Sequence, residues 1–134
     1  MSRSVIAYLS TLAVFALLDF LWLGFVAKDL YKAQIGGLLL EEQNWTAAVL
    51  FYLMFMVGIV FFAVLPALDA GSWTRAALHG ALFGLFCYAT YDLTNLATLK
   101  GWSVTIVAAD IVWGIVISGS AATASFFATR ALTR

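Results

Sequence analysis

Asp19, Asp92 and Asp110 stand inside long apolar runs, with no Lys or Arg near them in those runs. A carboxyl group at bilayer depth costs about 2.5–3.5 kcal/mol on insertion scales, so it is kept where it binds, moves or transforms something. Three chemistries suit such a cluster. Like charge and desolvation both oppose full ionisation, so the group can take up and release a proton along a transport path. Asp19, Asp92, Asp110 and the Asn95 amide can also offer oxygen ligands to a hard divalent cation such as Mg2+, Ca2+ or Mn2+. Alternatively, the carboxyls can act as acid and base on a lipid headgroup or acyl carbonyl reaching down from the surface. No His or Cys lies at that depth, so zinc and haem are not expected. A purely structural role stands beside these readings, with protonated aspartates hydrogen-bonding across helices. Interhelical hydrogen bonds average about 0.6 kcal/mol, so one aspartate would be ordinary glue, whereas three at one level, with Asn95 and several tyrosines, stretch that explanation.

The elements that hold these residues are membrane spans. Of 134 residues, 64% are hydrophobic and 10% charged, against about 25% charged in a soluble domain. Mean hydropathy is +1.01. Four apolar segments, near residues 5–26, 46–68, 75–99 and 103–128, reach the roughly 20 residues that a crossing helix needs. The expected fold is a single all-α domain over residues 1–134, a transmembrane four-helix bundle of up-down topology. Asp69-Ala70-Gly71-Ser72 and Gly101 make the tight turns, and Pro66 falls near the end of the second span. The longer link from Ala27 to Trp45 interleaves Leu30, Tyr31, Ile35, Leu38 and Leu39 with Lys28, Asp29, Lys32 and Gln34, and breaks at Gly36-Gly37. That pattern predicts a short amphipathic segment in the membrane interface. Trp45, Trp73 and Trp102 sit at span ends, where an aromatic belt anchors. The lone Cys87 excludes an intrachain disulfide.

Charge places the ends. With three aspartates in the membrane, Asp29, Glu41, Glu42 and Asp69 face seven basic residues, leaving a wet surface of +3. Such a surface suits anionic lipid headgroups, and no basic run is long enough for nucleic acid. Arg3, Arg75, Arg130 and Arg134 mark one side; Lys28, Lys32 and Lys100 mark the other. Four against three favours cytoplasmic termini in a bacterial inner membrane.

Depth gathers the polar residues. Asp19 and Asp92 each lie seven residues before a span end, and Asp110 seven after a span start, all on the Lys28–Lys100 side. At 1.5 Å per residue each is about 10 Å below that surface, and Tyr52 falls at the same level. Gly84, Tyr88, Tyr91, Asp92, Asn95 and Thr98 recur at spacings of three and four along the third span. Asp19–Trp22 and Asp110–Trp113 repeat one Asp-x-x-Trp pattern, whose indole N–H can donate to an aspartate on a neighbouring helix. Gly80-x-x-x-Gly84 and Gly119-Ser120-Ala121-Ala122 permit close helix approach, within the chain or in a homo-oligomer.

The string Tyr88-Ala-Thr-Tyr-Asp-Leu-Thr-Asn-Leu-Ala-Thr-Leu-Lys-Gly-Trp102, with Asp19-Phe-Leu-Trp-Leu-Gly24, Phe51-Tyr52-Leu and Asp110-Ile-Val-Trp-Gly114, closely resembles a bacterial family of four-span membrane proteins. That family is labelled domain of unknown function 2177. The resemblance covers almost the whole chain and implies a compact inner-membrane protein without established activity. The neighbourhood of some members' genes to fatty-acyl modification genes points to lipid metabolism. Three functions are therefore expected in turn. The first is a transporter or channel-like subunit handling a proton, cation or small amphiphile. The second is an enzyme or enzyme subunit acting on membrane lipid acyl chains, and the third an assembly partner.

Overall fold

A computed structural model describes residues 2–133. Arg134, counted above among the basic residues of one side, lies outside the described residues. The architecture is all-α, with no strand among the described residues. Helix α1 (Arg3–Leu21) opens into a π turn, Trp22–Val26. The short α2 (Lys28–Ile35) passes into a single 3-10 turn at Gly36–Leu38, where the Gly36-Gly37 break was expected. Helix α3 (Trp45–Ile59) runs through a second π turn, Val60–Val64, into α4 (Leu65–Ala70). Two long helices follow, α5 (Trp73–Thr98) and α6 (Val104–Leu132).

Local chemistry sets the ends. Ser2, Asn44, Ser72 and Ser103 each accept a backbone N–H from the first turn of α1, α3, α5 and α6, satisfying donors that a helix start leaves orphaned. Gly71 ends α4 at φ 65°, a left-handed conformation that costs glycine nothing. Pro66 falls near the end of the second rod, as expected, at the start of α4. Its ring removes one N–H and crowds the preceding turn, and the wide π turn immediately before it, closed by Leu65 N–H donating to the Val60 carbonyl, absorbs that defect.

The rods alternate in direction. Gly80 and Gly84 of α5 meet Ser118 and Gly114 of α6, so those helices are antiparallel. Ser10 meets Ser125 while Asp19 meets Trp113, so α1 and α6 are antiparallel too. Three rods, Arg3–Val26, Trp45–Ala70 and Val104–Leu132, are long and apolar enough to cross a membrane by length and composition. α5 matches them in length at 26 residues but carries Arg75, His79, Asp92 and Asn95. It turns Asp92, Gly80 and Gly84 inward and Leu78, Leu82, Phe86 and Leu93 outward. Polar residues inside and leucines outside is the order a lipid solvent imposes.

The core divides into two ends. At the Arg3 end, Ala7, Ala63, Ala67, Ala76, Ala121, Ala122 and Phe126 are fully buried. A Cβ on Gly80 would come within 2.7 Å of the Ala122 side chain and 2.8 Å of the Ser118 carbonyl oxygen. The glycines that sequence could assign to self-association thus serve the α5–α6 crossing. The Arg3 end also buries the hydroxyls of Thr11, Ser118, Ser125 and Thr129, whereas the carboxyls lie beyond the fully buried Phe15, Met56, Ile59 and Ile117.

Candidate functional site

Two antiparallel helices, each carrying Asp-x-x-Trp, can pair each indole with the other's aspartate. One such pair is direct: Trp113 Nε1 donates to Asp19 Oδ1 at 3.1 Å. The Tyr52 hydroxyl, from α3, donates to the other oxygen of Asp19. The reciprocal pair runs through an inserted residue. Trp22 Nε1 donates to the Tyr31 hydroxyl at 3.3 Å, and Tyr31 donates to Asp110 Oδ1 at 2.6 Å. The two indoles stack with centroids 4.6 Å apart and planes 7° from parallel, an arrangement worth about 0.5–1.5 kcal/mol beyond area.

Tyr31 reaches Asp110 because α2 folds over the chamber. Ala27 and Ile35 are buried on the same face as Tyr31, at a spacing of four. Ser103 Oγ donates to Gln34 Oε1 at 2.6 Å, fastening α2 to the start of α6. Burial, and then the hydrogen bond to Asp110, push the Tyr31 phenol above its ordinary range, so it remains a donor.

The three aspartates line one chamber but are staggered in depth. Gly84 opposite Gly114 and Gly80 opposite Ser118 bring Asp92 level with Ile106 and Asp110 level with Tyr88. Asp92 therefore starts about 6 Å nearer the surface than Asp110. Side chains lean toward their own helix N-terminus, which is deep for α5 and shallow for α6, so these two carboxyls lean toward each other. Asp19, level with Trp113, starts about one turn deeper than Asp110 and leans deeper still. The result is a facing pair, Asp92 and Asp110, with Asp19 deeper in the same chamber and one donor on each of its oxygens.

Asp92 is the exceptional member. It is 0% exposed, and neither carboxyl oxygen has a hydrogen-bond partner among the described residues. An unmatched buried polar group costs about 1–3 kcal/mol. A second orphan lies in the same chamber: Trp102 Nε1 is buried without an acceptor among the described residues. Trp102, expected as an interface anchor, instead closes the chamber and meets Tyr91 edge to face at 5.7 Å. Trp45 and Trp73 are exposed at helix ends, as a belt requires.

The chamber measures about 210 Å³ and is lined by Asp19, Trp22, Tyr31, Tyr88, Tyr91, Asp92, Trp102, Asp110 and Trp113, with Leu23, Ile35, Leu39 and Ile106. A cleft of about 300 Å³ adjoins it, lined by Phe51, Phe55, Cys87, Tyr88, Tyr91 and Asp110. Tyr88, Tyr91 and Asp110 belong to both. α5 packs closely on the Val60–Val64 turn and α4 but stands off from α3, which leaves the cleft between α3 and α5.

Two expected residues are not brought in. Asn95 is half-buried and does not line the chamber; Thr98 is exposed and donates to the Thr94 carbonyl of its own helix at 2.8 Å. Tyr52 contributes through Asp19 alone. Among the described residues no three His, Cys, Asp or Glu side chains group as metal ligands. Both oxygens of Asp19 are committed to Trp113 and Tyr52, so the expected cation shell of Asp19, Asp92, Asn95 and Asp110 is not assembled. Sequence reasoning missed Tyr31 and the inward role of Trp102. The signal for the first was the Ala27, Tyr31, Ile35 spacing; nothing in the sequence distinguished Trp102 from the other terminal tryptophans.

No curated protein and no solved structure matches the chain. The family described as "Predicted membrane protein (DUF2177)" matches residues 4–127. By that match, which takes in α1 to α5 and most of α6, the chain belongs to the DUF2177 family of membrane proteins.

Proposed function

We propose that the protein is an inner-membrane carrier subunit that takes up a proton, together with a small polar species, at the Asp92–Asp110 pair. The supporting observation is Asp92, wholly buried and without a hydrogen-bond partner among the described residues, beside a second carboxyl in a chamber of about 210 Å³. Folding alone does not retain such a group, because an apolar residue of similar size would fold at lower cost. Two facing carboxyls in a low-dielectric chamber cannot both carry charge cheaply, so the pair suits uptake and release of one proton, and a ligand that supplies or removes a hydrogen-bond donor changes how tightly. A channel through the single chain finds no support. Fully buried Phe15, Met56, Ile59 and Ile117 close the bundle below the chamber, so exchange is one-sided in this conformation.

Proton uptake into vesicles carrying the purified protein, read with a trapped pH-sensitive dye, tests this reading. Wild type is expected to show pH-driven uptake and Asp92→Asn to abolish it. Uptake unaltered in Asp92→Asn overturns it. A second reading, an enzyme or enzyme subunit acting on lipid acyl chains, draws on the apolar cleft that ends at Asp110. It expects the fatty-acyl profile of membranes, by mass spectrometry, to differ between wild type and Asp92→Asn at matched protein levels.

A further inference from the structure

We infer that cleft and chamber form one site for an uncharged, hydroxyl-bearing amphiphile with a single alkyl chain, its chain between α3 and α5 and its head at Asp92. This rests on the chamber being a binding site, and adds the class of ligand. The cleft is apolar along Phe51, Phe55 and Cys87 and turns polar where Tyr88, Tyr91 and Asp110 begin. Its outer end is Phe51, 44% exposed on the face that meets lipid. At about 300 Å³ the cleft alone reaches the lower bound of ligand pockets, which span about 300–1,000 Å³. A molecule dissolved in one leaflet thus meets a lateral mouth, an apolar passage and a polar terminus in that order.

The two orphans define the head. Asp92 and Trp102 both line one chamber, and among the described residues the Asp92 oxygens and the Trp102 N–H are buried without a hydrogen-bond partner. A carboxylate or phosphate head would face three aspartates with no Lys or Arg among the lining residues. An ammonium head would suit the carboxyls and leave the Trp102 N–H unmatched, since it has no acceptor. A hydroxyl both donates and accepts, so it serves Asp92 and Trp102 together. Matching two buried orphans is also where selectivity is largest, because a ligand lacking either partner leaves a desolvated group behind.

Cys87 lines the cleft and is the only cysteine of the chain, which makes it a built-in reporter. The protein in phosphatidylcholine vesicles is treated with N-ethylmaleimide, and Cys87 alkylation is followed by mass spectrometry with 1-monooleoylglycerol, oleylamine or oleate added at equal mole fraction. At about ten times its Kd, 1-monooleoylglycerol is expected to slow alkylation about tenfold by occupancy. Oleate at alkaline pH and oleylamine are expected to change the rate by less than about twofold, because each leaves an orphan unmatched. Trp102→Phe, which keeps a ring and loses the donor, is expected to remove most of the protection. Should that variant fail to fold by circular dichroism and gel filtration, the three-amphiphile comparison on wild type decides alone. Equal slowing by all three overturns the inference, as does slowing by oleylamine only, by none, or undiminished protection in a folded Trp102→Phe protein. Each of these leaves the proton-uptake result untouched, so loss of Asp92-dependent uptake separately marks failure of the proposed function.

Discussion

The two ends of this bundle are built on opposite rules. At the Arg3 end, small residues let backbones touch, and a Cβ at Gly84 would run into the Gly114 carbonyl. At the α2 end, Trp22, Tyr31, Tyr88, Tyr91, Trp102 and Trp113 hold the helices apart around carboxyls. In lipid, apolar area between helices earns little, because acyl chains are as apolar as leucine, and close van der Waals contact does the holding. The tight end therefore carries the stability and the open end can afford an unmatched Asp92. The lesson is a division of labour within one small chain: rigidity at one side of the membrane positions a costly site at the other.

Breaking the tight end should have the largest effect. Gly84→Leu forces a branched side chain against the Gly114 backbone and is expected to cost more than about 3 kcal/mol, read as loss of the folded fraction in a detergent unfolding series. Next comes the α2 strap. Tyr31→Phe removes the donor to Asp110 and the acceptor of Trp22, with an expected cost of about 1–2 kcal/mol and faster amide exchange in α2. The pH dependence of the same contact has a definite sign. The folded-state phenol titrates above its unfolded value because of burial and Asp110, so its contribution is full below about pH 10 and is lost as pH rises through the folded value. Hydrogen exchange in α2 should therefore be flat from neutrality to about pH 10, after correction for intrinsic rates, and rise only beyond it. Trp113→Phe removes one donor to Asp19 for about 1 kcal/mol. Thr98→Ala, at an exposed position outside the chamber, should stay within about 0.5 kcal/mol and leave uptake intact; loss of function there would mean that the site extends further along α5.

Legibility from sequence followed helix geometry and stopped where geometry alone stops. The helical rods follow from length and hydropathy, and the repeated Asp-x-x-Trp correctly implied the Trp113–Asp19 bond. Its mirror failed because Tyr31, on a short segment whose docking no periodicity encodes, stands between Trp22 and Asp110. Counting residues from span ends placed the aspartates within a turn of one another, but residue rise says nothing of side-chain lean, which joins Asp92 to Asp110 and sends Asp19 deeper. The stripe on α5 overreached for a similar reason. At 100° per residue Asn95 stands about 60° and Thr98 about 120° around the helix from Asp92, so the far end of the stripe leaves the face. Trp102 shares its terminal position with Trp73, and only the tertiary fold turns one inward and the other out.

Asp92→Leu tests the central claim most directly, with unfolding free energy and proton uptake measured on one preparation. The account predicts a protein at least as stable as wild type, by as much as about 1–3 kcal/mol once the unmatched carboxyl is gone, and devoid of uptake. A variant destabilised by more than about 2 kcal/mol with uptake preserved would contradict it and return Asp92 to a structural role.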